Sequence, residues 1–176
     1  MELIERLQKQ MPHLKIVVGG PEVSFEEENS LPYPVISGEG EKKWLEFLEL
    51  TCKEEAPSQE VLTRWRTFGT DLPELIPPYL KEDFPHLKNR IVYFETSRGC
   101  PYLCSFCLSA LDKTVRYFDE ASIQSQIQEL ISAGIKKIKF VDRTFNLKPG
   151  RMKELMQWLT QFKGNEFHFE VVGDIL

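Results

Sequence analysis

The chain has 176 residues, 41% hydrophobic and 28% charged, with a formal net charge of −5, which excludes a disordered chain and leaves room for one domain or two small ones. The acidic balance argues against a general polyanion-binding surface, so nucleic acid is not the expected partner. No apolar run approaches the ~20 residues of a membrane-spanning helix and the N-terminus lacks a secretory signal pattern, so a cytoplasmic location with no membrane partner is expected.

Leu3, Ile4, Leu7 and Met11 recur at helical spacing, and Pro12 ends that helix. Lys15 to Val18 reads as a short buried strand running into Gly19-Gly20-Pro21. A polar stretch around Glu26 to Glu28 follows, then a second strand from Pro34 to Ser37 and the turn Gly38-Glu39-Gly40-Glu41. The next helix is expected to bury Trp44, Leu45, Phe47 and Leu48. Glycines at the ends of parallel strands let backbone approach a ligand with no Cβ in the way, although ordinary strand-to-helix turns use the same residues.

Residues 53–89 read as a joint. Lys53 to Glu60 is polar, and Leu72 to Leu80 combines prolines with apolar residues, which presets an extended path. Leu75, Ile76, Tyr79 and Leu80 suit a strap lying against one or both domains.

From Ile91 a β/α rhythm resumes. A strand over Ile91–Glu95 leads into Thr96-Ser-Arg-Gly-Cys-Pro-Tyr-Leu-Cys-Ser-Phe-Cys107, a C-x3-C-x2-C cluster. Three thiols on one short loop are suited to holding metal. A structural zinc site wants four closed ligands, which Cys52 or His86 could complete, but zinc ligands usually come as separated pairs. Disulfides would leave an odd thiol. Four cysteines usually close an iron–sulfur cubane, so three leave one iron open. A helix over 122–133, capped by Asp119 and stopped by Gly134, precedes a strand over 137–141. A second helix over 151–162 is expected to bury Met152, Leu155, Met156, Leu159 and Phe162, and a strand over 167–172 follows. His168 and Glu170 alternate with Phe167, Phe169 and Val171, giving that strand one polar face. Arg98 reads as a surface charge, the partner of a carboxylate or a cation beside an anionic cluster, and Lys139 as a solvated charge.

The cysteine run, with Phe106 before its last thiol and a strand before its first, resembles the radical S-adenosylmethionine (SAM) superfamily, whose loop reads C-x3-C-x-aromatic-C. The resemblance implies that Cys100, Cys104 and Cys107 ligate three irons of a [4Fe-4S] cluster. The open iron then binds SAM, with Phe106 beside its adenine, and reductive cleavage gives methionine and a 5′-deoxyadenosyl radical. By position, Asp142 at the end of the second strand lies near the methionine part of SAM, unless it is a turn or capping residue. Glu170 is a candidate partner of SAM or substrate, unless its face meets solvent.

Residues 17–24 and 35–41 look like the last two strand-turn units of the cobalamin (B12)-binding domain that precedes many radical SAM domains. This implies that Gly19, Gly20, Gly38, Glu39 and Gly40 approach the cobalamin nucleotide tail. The cobalt-ligating D-x-H-x-x-G loop of many members is not in this sequence, and His13, His86 and His168 read as surface or loop residues.

The fold expected is α/β: a partial doubly wound, Rossmann-like B12-binding domain (1–52), a proline-rich linker (53–89) and the first half of a TIM-like β/α radical SAM barrel (90–176). The function expected is that of a piece of a radical SAM enzyme, of the group that includes cobalamin-dependent methyltransferases. Cofactors expected are the [4Fe-4S] cluster and SAM, with cobalamin as far as the partial domain allows. Partners expected are an unspecified small-molecule substrate and an electron donor such as flavodoxin or ferredoxin. The alternative is a non-catalytic iron–sulfur or zinc-binding module. The last strand, with an unpaired edge, is expected to promote self-association.

Overall fold

The computed structural model describes residues 2–24, 31–67, 76–111 and 114–175. Two compact units divide the chain, Met1–Thr70 and Asp71–Leu176. The polar stretch Glu26–Glu28 and the part of the expected strap from Leu72 to Leu75 lie outside the described residues.

In the first unit, helix α1 (Glu2–Gln10) has acidic residues in its first turn and Lys9 in its last, the order its dipole favours. Strands β1 (Val18–Gly19) and β2 (Val35–Ile36) pair in parallel, Val18 opposite Val35 and Gly19 opposite Ile36. Both strands are shorter than the four-residue runs expected, for local reasons. After β1, Gly20 turns the chain into the short helix α2 (Pro21–Ser24), whose Ser24 hydroxyl donates to Gly20 O at 2.7 Å. After β2, Ser37 N leaves the ladder and donates to Trp65 O at 2.9 Å.

Helices α3 (Glu41–Cys52) and α4 (Gln59–Arg66) complete this unit. Ile36, Phe47 and Trp65 form its core, with Val17, Leu50, Val61 and Leu62 packed around them. Of the expected α3 face only Phe47 is buried. Trp44, Leu45 and Leu48 stay exposed because the helix turns one narrow stripe toward Trp65. Helix α4 lies inside the stretch expected to be a connector. Its Ser58 cap accepts from Val61 N at 3.3 Å, and its Trp65 is fully buried, with Nε1 donating to Glu46 Oε2 at 2.7 Å. Burial of such a side chain contributes roughly 1.5–3 kcal/mol.

The second unit begins its described part with residues 76–80, a 3-10 turn (Lys81–Asp83) and the short helix α5 (Phe84–Leu87). Of the expected strap, Tyr79 packs on the core while Ile76 and Leu80 stay exposed. Strand β3 (Ile91–Phe94) is followed by β4 (Ser97–Arg98), and a later strand β5 (Arg116–Tyr117) pairs with β4 antiparallel. Helix α6 (Glu120–Ser132) begins at Asp119, whose carboxylate accepts from Ser122 N at 2.9 Å, the cap expected. Strand β6 (Lys137–Phe140), helix α7 (Pro149–Leu159) and strand β7 (Glu166–His168) complete the β/α alternation. Helix α7 starts two residues earlier than expected because proline is well suited to a first helical turn.

Strands β3, β6 and β7 form one parallel sheet in that order, Ile91 opposite Lys137 and Lys137 opposite Glu166. One face carries Val92, Phe94, Ile138 and Phe140, which pack with Ile123, Ile127 and Leu130 of α6 and Leu155 and Leu159 of α7. Phe140 stacks on Phe169 at 4.8 Å between ring centroids. Met156 of the expected α7 face is exposed instead. Among the described residues no helix covers the other sheet face: Ile91 and Tyr93 are each 53% exposed, and ion pairs Lys137–Glu166 and Lys139–Glu170, both at 3.0 Å, cross it. At the outer edge of β3, Tyr79 Oη donates to Tyr93 O at 3.1 Å and accepts from Tyr93 N at 3.0 Å.

Candidate metal centre and glycine turns

The three cysteines of the sequence pattern lie between β4 and β5, so the short antiparallel ladder staples the loop at its root. Below that ladder is a buried polar network. Asp142, just past the end of β6, is 1% exposed and accepts from Thr96 N at 3.1 Å, Thr96 Oγ1 at 2.6 Å and Ser97 Oγ at 2.6 Å. Arg151 reaches in from α7, donating to Thr96 Oγ1 at 3.2 Å and Thr96 O at 3.3 Å. Its guanidinium also meets Glu120 at 3.3 Å and lies over the Tyr117 ring, 5.0 Å from the centroid. A carboxylate so deep is tolerable because three donors and a nearby cation satisfy it.

The network fixes where the loop leaves the sheet. Gly99 has a φ of +94°, and a Cβ there would lie 1.7 Å from Thr114 O, so the two sides of the loop touch backbone to backbone. Cys100 is buried, with Sγ 3.5 Å from Thr144 Oγ1. Cys104 is exposed and Cys107 half-buried, joined by a turn in which Cys107 N donates to Cys104 O at 3.0 Å. Hydrogen bonds from the Ser109 side chain and backbone lower the Cys107 thiol pKa, and Arg143 adds to this. Phe106 projects from the loop, 92% exposed.

All four cysteines of the chain are free. Among the described residues no group of three or more His, Cys, Asp or Glu side chains is gathered as a metal site. The donor set still fits an iron–sulfur cluster: three unpaired thiols on one anchored loop, one of them with a lowered pKa. Arg98 pairs with Glu95 at 2.7 Å and lies over Phe118, so it is held at the root of the loop.

Glu170 is half exposed on the open sheet face, paired with Lys139, whose hydrogen bond and charge hold its carboxyl below the ordinary carboxylate value. Lys139 is therefore an ion-pair partner and not simply a solvated charge.

In the first unit, parallel pairing of β1 and β2 brings both glycine turns to one end of the sheet. Gly20 and Gly38 have φ of +95° and +70°, the left-handed region where glycine is unstrained. Gly19 passes so close to β2 that a Cβ would sit 3.1 Å from Ile36 O, and Gly40 caps α3, with Glu39 beside it. Lys43 locks the second turn, donating to Ser37 O at 2.6 Å, Trp65 O at 3.0 Å and Thr67 O at 2.7 Å. Burial lowers its pKa, and Glu39 opposes that.

Sequence reading missed Thr96, Ser97, Arg151, Thr144 and Lys43. Only Arg151 carried a local signal: a cation in the first turn of a helix opposes the dipole and calls for a partner elsewhere.

No protein-family profile matches the chain. It is similar to the cobalamin-dependent radical SAM methyltransferase TokK of Streptomyces tokunonensis, 27% identical over 93% of this chain and 28% of that protein. The uncharacterized methyltransferase PH0819 of Pyrococcus horikoshii is 29% identical over 89% of this chain and 41% of its own length. The chain therefore spans well under half the length of these curated relatives. Among solved structures, the radical SAM methyltransferase TsrM of Kitasatospora setae, with tryptophan substrate and a SAM analogue bound, superposes with a TM-score of 0.55. That match has 18% identity and covers 91% of this chain and 35% of TsrM. A second TsrM structure, with cobalamin and a [4Fe-4S] cluster bound, gives the same score at 16% identity. The chain is thus similar in sequence to proteins that include the cobalamin-dependent radical SAM methyltransferase TokK, and it shares the α/β fold of TsrM.

Proposed function

We propose that this chain carries the cluster-binding and SAM-binding part of a cobalamin-dependent radical SAM methyltransferase. The observation that carries this is the loop of three free thiols, anchored by Asp142 and Arg151 beyond the ends of parallel strands. Cys100, Cys104 and Cys107 would hold three irons of a [4Fe-4S] cluster. When bound, the cluster supplies the electron for reductive cleavage of SAM, drawn from a one-electron donor protein.

The chain's own residues bind and orient. Phe106, exposed beside the last thiol, offers a flat apolar surface for the SAM adenine. Asp142 serves by holding Thr96 and Ser97, and so the loop, at a fixed height over the sheet. Glu170 offers a carboxylate, kept ionised by Lys139, on the sheet face away from α6 and α7, where SAM or substrate would lie. Gly19, Gly20, Gly38, Glu39 and Gly40 form the surface offered to the cobalamin nucleotide tail. Methyl transfer is the reaction class that TokK and PH0819 support, and the tryptophan held by TsrM favours a small molecule as its acceptor.

The test is anaerobic reconstitution of the chain with iron and sulfide, followed by addition of SAM. The expected result is stoichiometric iron and sulfide, a cluster EPR signal that changes with SAM, and loss of both in Cys104→Ala. Zinc bound in place of iron, or a cluster whose signal ignores SAM, would overturn the reading in favour of a structural or electron-transfer module.

A further inference from the structure

Thr144 follows Asp142 by two residues and has no part in the anchoring network. It is 4% exposed, and its hydroxyl has one side-chain partner among the described residues, the Cys100 sulfur at 3.5 Å. Its neighbours leave it little freedom. Phe145 N donates to Glu170 O at 3.2 Å and its ring is buried against Phe140 and Phe169. Asn146 is fully buried and exchanges two hydrogen bonds with the Val172 backbone, at 2.8 and 2.9 Å. Thr144 O accepts from Leu147 N, and Asp142 is held by three donors.

With a free thiol, either atom of the Thr144–Cys100 contact can be the donor. A metal-bound thiolate has no proton, so it can only accept. A buried hydroxyl left without a partner costs about 1–3 kcal/mol, so the Thr144 O–H then points at sulfur. Hydrogen bonds to the sulfurs are one of the means by which a protein sets the potential of an iron–sulfur cluster. They draw negative charge from the ligand and so favour the reduced, more negative state.

We infer that Thr144 is a tuning residue for the proposed cluster, donating a hydrogen bond to the Cys100 thiolate that raises the cluster's reduction potential. This rests on the reading of Cys100, Cys104 and Cys107 as cluster ligands. The step concerned is the one-electron reduction of the cluster, with no bond made or broken and the electron supplied by an external low-potential donor.

The experiment is a potentiometric titration of the reconstituted chain, followed by EPR with titanium(III) citrate as reductant, for wild type, Thr144→Val and Thr144→Ser. Valine keeps the shape and removes the donor; serine keeps the donor. The inference expects equal iron content in all three, a more negative midpoint for valine, and a serine midpoint close to wild type. Equal midpoints in valine and wild type at equal iron content would overturn it while leaving the cluster reading intact. A wild-type chain that takes up no iron–sulfur cluster would overturn the cluster reading and the inference with it. If the valine variant folds poorly, Thr144→Ala against Thr144→Ser makes the same comparison: alanine more negative supports the inference, and equality overturns it.

Discussion

A methyl group at residue 99 would meet the Thr114 carbonyl oxygen at 1.7 Å, and the φ of +94° adds strain of its own. Gly99→Ala must therefore push the cysteine loop off the β4–β5 ladder. The expected cost exceeds the ~1–2 kcal/mol of left-handed strain alone, because backbone has to move as well. Urea unfolding would measure the destabilisation, and reduced iron uptake would show that the thiols had been misplaced. Asp142 is decisive for a different reason, since truncating it would leave three buried donors without an acceptor. Neither effect was legible locally. Thr96 and Asp142 stand 46 residues apart, and a pair that distant has no periodicity or spacing to betray it. The cysteines were legible because their chemistry depends on close sequence spacing.

Helices α6 and α7 and strands β3 and β6 were read from the sequence within three residues of their boundaries, because each has a buried face at the proper period. The Asp119 cap has a measurable pH signature. Donors from Ser122 hold its carboxyl below the ordinary 3.8, so the folded state favours the ionised form. The cap's contribution is thus fully present above the ordinary value and lost as pH falls through the lowered one. NMR titration of the Ser122 amide should show a midpoint below 3.8 in the wild type and no such transition in Asp119→Asn. A wild-type midpoint at or above 3.8 would show that the cap does not hold in solution. Helix α4 was missed although Ser58, Val61, Leu62 and Trp65 have the cap and spacing of a short helix, because flanking charges and Pro57 read as linker. The expected strands over 15–18, 34–37 and 167–172 proved shorter, since a ladder's extent depends on what lies beside it.

At the scale of the whole molecule, the alternation of strand and helix carried the α/β class, while the boundary between the two units, at Thr70 and Asp71, falls inside the stretch read as a joint. The first unit's core is small and centred on Trp65, so Trp65→Ala should cost it roughly 3–5 kcal/mol. Each unit has its own hydrophobic cluster, so hydrogen exchange should accelerate in β1, β2, α3 and α4 while amides of β3 and β6 keep their protection. Equal acceleration in both units would mean that they unfold as one. The Tyr79 phenol bears on how the larger sheet can be extended. By bonding to both backbone groups of Tyr93, it occupies positions that a neighbouring strand would need on that side of β3. A further strand therefore meets an obstructed margin at β3, while among the described residues β7 pairs on one side only. Any barrel raised on this sheet has to displace the phenol before it can close into a full ring; otherwise it keeps a slot along β3.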